Sequence, residues 1–276
     1  MPSDINRLII FDQFFDTVHR QIVNALKAPK DAQVLDVGGG AGGFARHMAR
    51  KLKGKERVTA LDIVHDNLLK ARELAGLEKL DHRIRSVLGD VEALPFPDNQ
   101  FDLIWCSRVV HHHLPEPKVA LAELYRVLRS GGRLAIREDG GRRWRFSSKG
   151  LDIDDNLQTR LHDLYDRWFE EKHGCDRPDD AWWRKTLKKM GLKSTEQLEF
   201  PFKTPDIQIQ LRYIDDWLRS FLSMDASGGY RAKLGPTDRW ALERLTDPDL
   251  ECGVLNQTVR SVSFDIETIV YVGAKP

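Results

Sequence analysis

The stretch Gln33-Val34-Leu35-Asp36-Val37-Gly38-Gly39-Gly40-Ala41-Gly42-Gly43-Phe44 decides the fold. Its first part is short and apolar, the composition of a strand covered on both faces. An acid and a run of glycines follow, and then helical spacing sets in, with a helix expected from about residue 42 to 52. Strand, glycine turn and helix in that order let a ligand approach the main chain with no Cβ in the way and present backbone N–H groups to it. A tight turn without a ligand has the same local signature, so the surrounding sequence has to decide.

Working outward, VTALDI at 58–63 reads as a second strand, with a helix through 66–75 behind it. Asp62 ends that strand, 26 residues after Asp36, where a carboxylate can accept both hydroxyls of a ribose. NAD-binding folds share this device, so the two features leave the nucleotide open. IRSVLGD at 84–90 and FDLIWCS at 101–107 are the third and fourth strands, VALAELYRVL at 119–128 is a helix, and GGRLAIRE at 131–138 turns into a fifth strand. Upstream, residues 4–27 carry apolar side chains at helical spacing, as one helix or two, stopped by Pro29. After residue 139 the pattern changes to long amphipathic helices around Leu157–Phe169, Trp182–Met190, 207–223 and 236–246. A strand is expected at 195–202 and a last one at 262–273.

Composition limits the partners. The 276 residues are 41% apolar and 31% charged, which is globular, and 43 Lys plus Arg against 42 Asp plus Glu leave a formal charge of +1. No global field draws such a chain to nucleic acid or an anionic membrane. Cys106, Cys175 and Cys252 are odd in number and widely spaced, neither a metal knuckle nor a disulfide framework, and no metal site is expected. The start lacks a signal-peptide layout and no run is apolar enough to span a bilayer, so a cytoplasmic protein without membrane insertion is expected.

The motifs downstream separate the nucleotides. DVGGGAGGF, then Gly89-Asp90-Val91-Glu92-Ala93-Leu94-Pro95-Phe96, then Phe101-Asp102-Leu103-Ile104 with VVHHHLPEP and LAELYRVLRSGGRL, resemble in order and spacing the class I S-adenosylmethionine (SAM)-dependent methyltransferases. The likeness is to the small-molecule branch that includes ubiquinone and menaquinone C-methyltransferases and natural-product enzymes. It runs through about residues 32–138 and resumes at GLKSTEQLEF and IVYVGAKP. It implies an α/β, Rossmann-like fold with a mostly parallel seven-stranded sheet and helical cap insertions. The expected segments are an N-terminal helical stretch (1–30), the SAM-binding core (31–139), a cap insertion (140–180), a continuation of the core (181–202), a second helical insertion (203–252) and the final core strands (253–276). The segments without recognisable motifs are the ones expected to choose the acceptor.

By resemblance, Gly38, Gly40 and Gly42 floor the methionine moiety and ribose of SAM, and Asp36 anchors that loop or reaches the amino group through water. Asp62 binds the ribose with Ile63 on the adenine, Asp90 accepts from the adenine amino group with Val91 across the ring, and Ser107 and Arg108 lie near the methionine end. SAM carries an activated methyl, so the protein must align a nucleophile and exclude water, with a base where the acceptor has a proton to lose. His112, among His111–His113 after the fourth strand, is the first candidate base and Glu138, after the fifth, the second; each equally suits a structural role. His162 is a weaker third. Tryptophans after strand five favour a small hydrophobic or aromatic acceptor, although cap packing explains them equally well. Arg142-Arg143-Trp144-Arg145 reads as a solvated edge.

Rival acceptors are less well supported. The position after strand four reads Cys106-Ser107-Arg108-Val109, with no Asn/Asp-Pro-Pro-aromatic tetrad to hold a nucleic-acid amine, and Cys106 follows Trp105 where a C5-directed thiolate would follow proline. RNA or protein acceptors stay open, as does a SAM-fold scaffold without turnover. The apolar N-terminal helix can pack over its own site or make a homo-oligomer.

Overall fold

Apolar strands alternate with amphipathic helices along the first half of the chain, and that alternation builds a parallel sheet covered on both faces. In the computed structural model, β1 (Val34–Val37), β2 (Val58–Asp62), β3 (Ile84–Leu88), β4 (Phe101–Ser107) and β5 (Leu128–Arg137) are parallel neighbours in the order β3-β2-β1-β4-β5. Every residue is described except 1–4, 55–56, 111–113, 115–116, 139–144, 148–152, 154, 175–176, 203–205, 224–232 and 258–261. Two late strands, β7 (Lys193–Pro201) and β9 (Glu267–Ala274), complete a seven-stranded sheet in the order β5-β9-β7, both of those pairings antiparallel. Order reverses between β1 and β4, the position where open α/β sheets form a ligand crevice at the carboxyl ends of their strands.

The two-residue period of a strand assigns the faces. Leu35 and Val37, Ile104 and Cys106, and Leu134 and Ile136 share one core with α5 (Lys118–Val127) and α7 (Asp180–Lys189). From the intervening positions, Trp105 stacks on Phe44 of α3 (Gly43–Lys51) with ring centroids 4.5 Å apart. The N-terminal region is two helices, α1 (Ile5–Phe14) and α2 (Asp16–Ala25), and α4 (His65–Leu77) follows β2. Helix α7 starts where the side chain of Asp179 accepts the Trp182 N–H at 2.7 Å, which satisfies an otherwise unpaired helix donor.

The chain divides into two compact units. The first holds residues 1–142, 178–201 and 267–276, and with them the whole large sheet. The second holds 143–177 and 202–266. It contains α6 (Asp155–His173), α8 (Ile207–Ser223), α9 (Pro236–Leu245) and an antiparallel ribbon of β6 (Arg145–Ser147) with β8 (Ser263–Asp265). Its own core joins Phe146, Leu161, Ile214, Leu218, Leu242 and Val254.

Two expectations change. The single last strand at 262–273 is two, β8 in the second unit and β9 in the first, because Ile266 ends one hydrogen-bonded partnership and Glu267 begins another. The second excursion from the large sheet therefore runs to Ile266 and not to residue 252, so 253–266 are not core strands.

Candidate functional site

Sequence order and sheet order together bring the candidate nucleotide residues to one edge of the first unit. Asp36 is the penultimate residue of β1, Asp62 ends β2, and the Gly89 N–H donates to the Asp62 carbonyl at 3.1 Å, which draws the loop after β3 against β2. Gly38, Gly40 and Gly42 have φ of +68°, +53° and +82°. Gly38 is the most demanding, since a Cβ there would run into Val109 just after β4 and the left-handed backbone penalises any L side chain.

Asp62 is 6% exposed. Its Oδ2 accepts the Gly40 N–H at 2.9 Å, and its Oδ1 accepts the Val64 N–H at 2.9 Å and the Asn67 side-chain amide at 3.2 Å. Three of about four acceptor positions are thereby used, leaving room for one more donor where two ribose hydroxyls were expected. Ile63, next to it, is 66% exposed, an unusual position for an isoleucine and one that suits a flat ligand face. Asp90 Oδ1 accepts the Glu92 N–H at 2.9 Å and shapes its own turn. Val91 is 6% exposed and packs in the core that holds Leu61 and Leu94.

Asp36 is 2% exposed and burial, reinforced by the negative charges of Asp12 and Asp62, pushes its carboxyl up to about 8. Its Oδ2 has no hydrogen-bond partner among the described residues. Asp12 was not anticipated as a site residue. Helix α1 lies over the glycine turn, with Leu8 against Gly40, and Asp12 where a Cβ on Gly43 would stand. Burial raises Asp12 to about 6 against the opposing pull of Arg46, 4.0 Å away. The sequence signal existed, an acid in an otherwise apolar stretch, but nothing local says which element it will touch. The N-terminal helices thus use this face within their own chain.

Beyond the switch point the groups change sign. Cys106 is fully buried, and burial followed by the charge of Glu138 pushes its thiol well above the ordinary range, so it is no nucleophile. Ser107 and Arg108 are partly exposed. Arg108 has φ +55° and donates its N–H to the Arg137 carbonyl at 2.9 Å. The guanidinium of Arg137, a residue 4% exposed, lies 4.4 Å from the Phe15 ring centre and 5.1 Å from that of Phe11, and Arg108 lies 5.2 Å from Phe11. His19 beside them is driven down to about 3 by burial and then by Arg137, so it is neutral. Glu138, 7% exposed, follows β5 in the same region.

His111–His113, and with them His112, lie outside the described residues, as do Asp139 and Arg142–Trp144. His162 is buried in the second unit, 5.4 Å from Trp217. Trp183, one of the tryptophans that follow strand five, is fully buried in the first unit and stacks on Tyr271 at 5.8 Å. Among the described residues no group of three His, Cys, Asp or Glu is arranged to hold a metal, and no helix is long and apolar enough to cross a membrane.

The family model of the methyltransferase domain matches residues 35–136, from β1 to the end of β5. The chain is similar to a ubiquinone/menaquinone biosynthesis C-methyltransferase of Dinoroseobacter shibae, 43% identical over 112 residues, which cover 40% of this chain and 44% of that one. It is similar to a sarcosine/dimethylglycine N-methyltransferase of Halorhodospira halochloris, 30% identical over 177 residues, 64% of this chain and 57% of the other. The matches thus span about half the length of these curated relatives. In fold, it resembles a phosphoethanolamine N-methyltransferase 2 of Haemonchus contortus with a TM-score of 0.57 at 17% identity, covering 99% of this chain and 58% of that one. Residues 35–136 are therefore similar to a methyltransferase domain, and the seven-stranded sheet with its last strands antiparallel and a glycine turn after β1 gives the chain the fold of that solved structure.

Proposed function

We propose that the first unit binds SAM at the carboxyl ends of β1, β2 and β3 and that the protein transfers its methyl group to a small organic acceptor. The observation that carries this is the group of buried acids around a Cβ-free turn: Asp36, with an unsatisfied Oδ2, and Asp12 beside it favour a cationic ligand. SAM fits that demand, because its ammonium and sulfonium supply the missing positive charge while its ribose and adenine suit Asp62 and Ile63. The relatives' names, a quinone-directed C-methyltransferase and a sarcosine/dimethylglycine N-methyltransferase, support a small-molecule acceptor and leave open which atom is methylated.

In this reading the bound cofactor supplies an activated methyl on sulfur. Gly38, Gly40 and Gly42 form the floor under its methionine end and ribose, and Asp62 holds the turn through Gly40 and offers its remaining acceptor position to a ribose hydroxyl. Asp90 and Val91 border the adenine. Ser107 and Arg108 face the reacting end, and α1 excludes water above it. Glu138 or His112 takes the proton where the acceptor must lose one.

Calorimetry is the test. SAM and its demethylated product S-adenosylhomocysteine should bind and NAD should not, and Asp62→Ala should weaken SAM by about 1–3 kcal/mol. Preference for NAD would end the proposal; unchanged affinity in Asp62→Ala would remove that residue from the site. For the base, the pH profile of kcat with saturating SAM should lose its acidic limb in His112→Ala or, failing that, in Glu138→Gln.

A further inference from the structure

We propose that the acceptor carries an oxyanion, a carboxylate or a phosphate, held by Arg108 and Arg137 at the carboxyl ends of β4 and β5. This rests on the methyltransferase reading above and adds the class of acceptor.

The switch point divides the edge of the sheet chemically. On the β1-β2-β3 side stand Asp36, Asp62 and Asp90, with Asp12 laid over them from α1. On the β4-β5 side stand two arginines whose backbones are hydrogen-bonded to each other. One side suits a cationic cofactor; the other concentrates positive charge where a second reactant has to lie, next to the residues that follow β4.

Both guanidiniums lie against Phe11, and Arg137 also lies against Phe15. Aromatic faces partly compensate a buried cation and fix the plane of the guanidinium. Arg137 is nearly inaccessible, and desolvating a guanidinium costs several kcal/mol before pairing. Simple packing of α1 and α2 on the sheet would be served at lower cost by an apolar residue. Both arginines also have protein partners, which hold them in position ahead of a ligand. Among the described neighbours, Glu138 follows Arg137 directly in the chain and His19 is held neutral. A planar fork of donors is the side chain that recognises a carboxylate or phosphate in two-point fashion. The left-handed φ of Arg108, at +55°, costs backbone energy in a non-glycine residue and fits a side chain placed for a ligand.

The test uses the full chain, with and without saturating S-adenosylhomocysteine, dialysed to equilibrium against labelled inorganic phosphate and, separately, labelled acetate. Wild type should bind at least one of them saturably, and glycerol should not compete. Tighter phosphate binding assigns a phosphorylated acceptor and tighter acetate binding a carboxylated one. Arg108→Gln should weaken that anion about tenfold, the size of one charge-assisted hydrogen bond, and by more than it weakens S-adenosylhomocysteine, whose methionine end would lie beside the same residue. Arg137→Lys keeps the charge and loses the fork, and should weaken the anion as well; if it does not fold, the partly exposed Arg108 still decides. The proposal is overturned if neither anion binds saturably or if Arg108→Gln binds it as wild type does. It is also overturned if Arg108→Gln loses S-adenosylhomocysteine to the same extent, since the arginines would then hold the cofactor's own carboxylate. Failure of wild type to bind S-adenosylhomocysteine would instead count against the methyltransferase reading, and the anion result without it would stand by itself.

Discussion

Single residues at the glycine turn carry the sharpest consequences. Gly38→Ala places a methyl group into Val109 on a left-handed backbone. It should cost about 1–3 kcal/mol of stability in a denaturant melt and weaken SAM as well; a mutant that melts and binds like wild type would show that the turn relaxes freely. The buried acids predict a pH effect. Asp36 titrates near 8 and Asp12 near 6 in the folded protein, so between about pH 4 and 8 the native chain holds protons that the unfolded chain has released. Stability of the ligand-free protein therefore falls as pH rises through that window. The groups facing them are Asp62, Asp16, Arg46 and His47, and Asp36→Asn should remove more than about 1.4 kcal/mol of the decline, the equivalent of one pKa unit. Urea midpoints equal across that range would refute the burial of these acids. SAM, arriving as a cation, should expel protons on binding, which calorimetry in buffers of different ionisation heat will detect.

At the scale of elements, α7 is held by its ends and by its tryptophan. Asp179→Ala removes the side chain that accepts the Trp182 N–H and should cost about 1 kcal/mol. Trp183→Ala empties a site with no solvent exposure between α7 and β9 and should cost about 3–5 kcal/mol. The loss should appear in the melting temperature, and SAM affinity measured well below the melt should stay close to wild type; a selective change in acceptor KM would return Trp183 to a pocket. The first four parallel strands are readable within two residues because each is a short apolar run between turn residues, whereas β5 begins at Leu128, three residues before the expected start. Helix α8 was readable at both ends, 207 and 223, because its apolar stripe has an unbroken period. The division at Ile266 was not readable, since β8 and β9 form one continuous strand-like pattern and only their partners differ.

For the whole molecule, every candidate cofactor residue belongs to the first unit, and the second has a separate core. Trp217→Ala, which removes edge-on ring contacts to Phe221 and Phe146, should destabilise the second unit by about 3 kcal/mol. Its effect on SAM affinity should be within about twofold, well under the 1.4 kcal/mol of a tenfold change. A large loss of SAM affinity in a folded Trp217→Ala protein would mean that the two units are coupled in cofactor binding. By itself, the sequence determined the strand-turn-helix alternation, the likeness of residues 35–136 to a methyltransferase domain, and the positions of Asp36, Asp62 and the glycines, because those depend on local periodicity and on backbone freedom at single residues. It did not determine that Asp12 lies on the turn, that Trp183 packs as core, or that Arg108 and Arg137 both lie against the ring of Phe11. Those pairings join residues far apart in the chain: the packing of α1 and α2 brings Asp12, Phe11 and Phe15 to the sheet, and the packing of α7 on β9 buries Trp183.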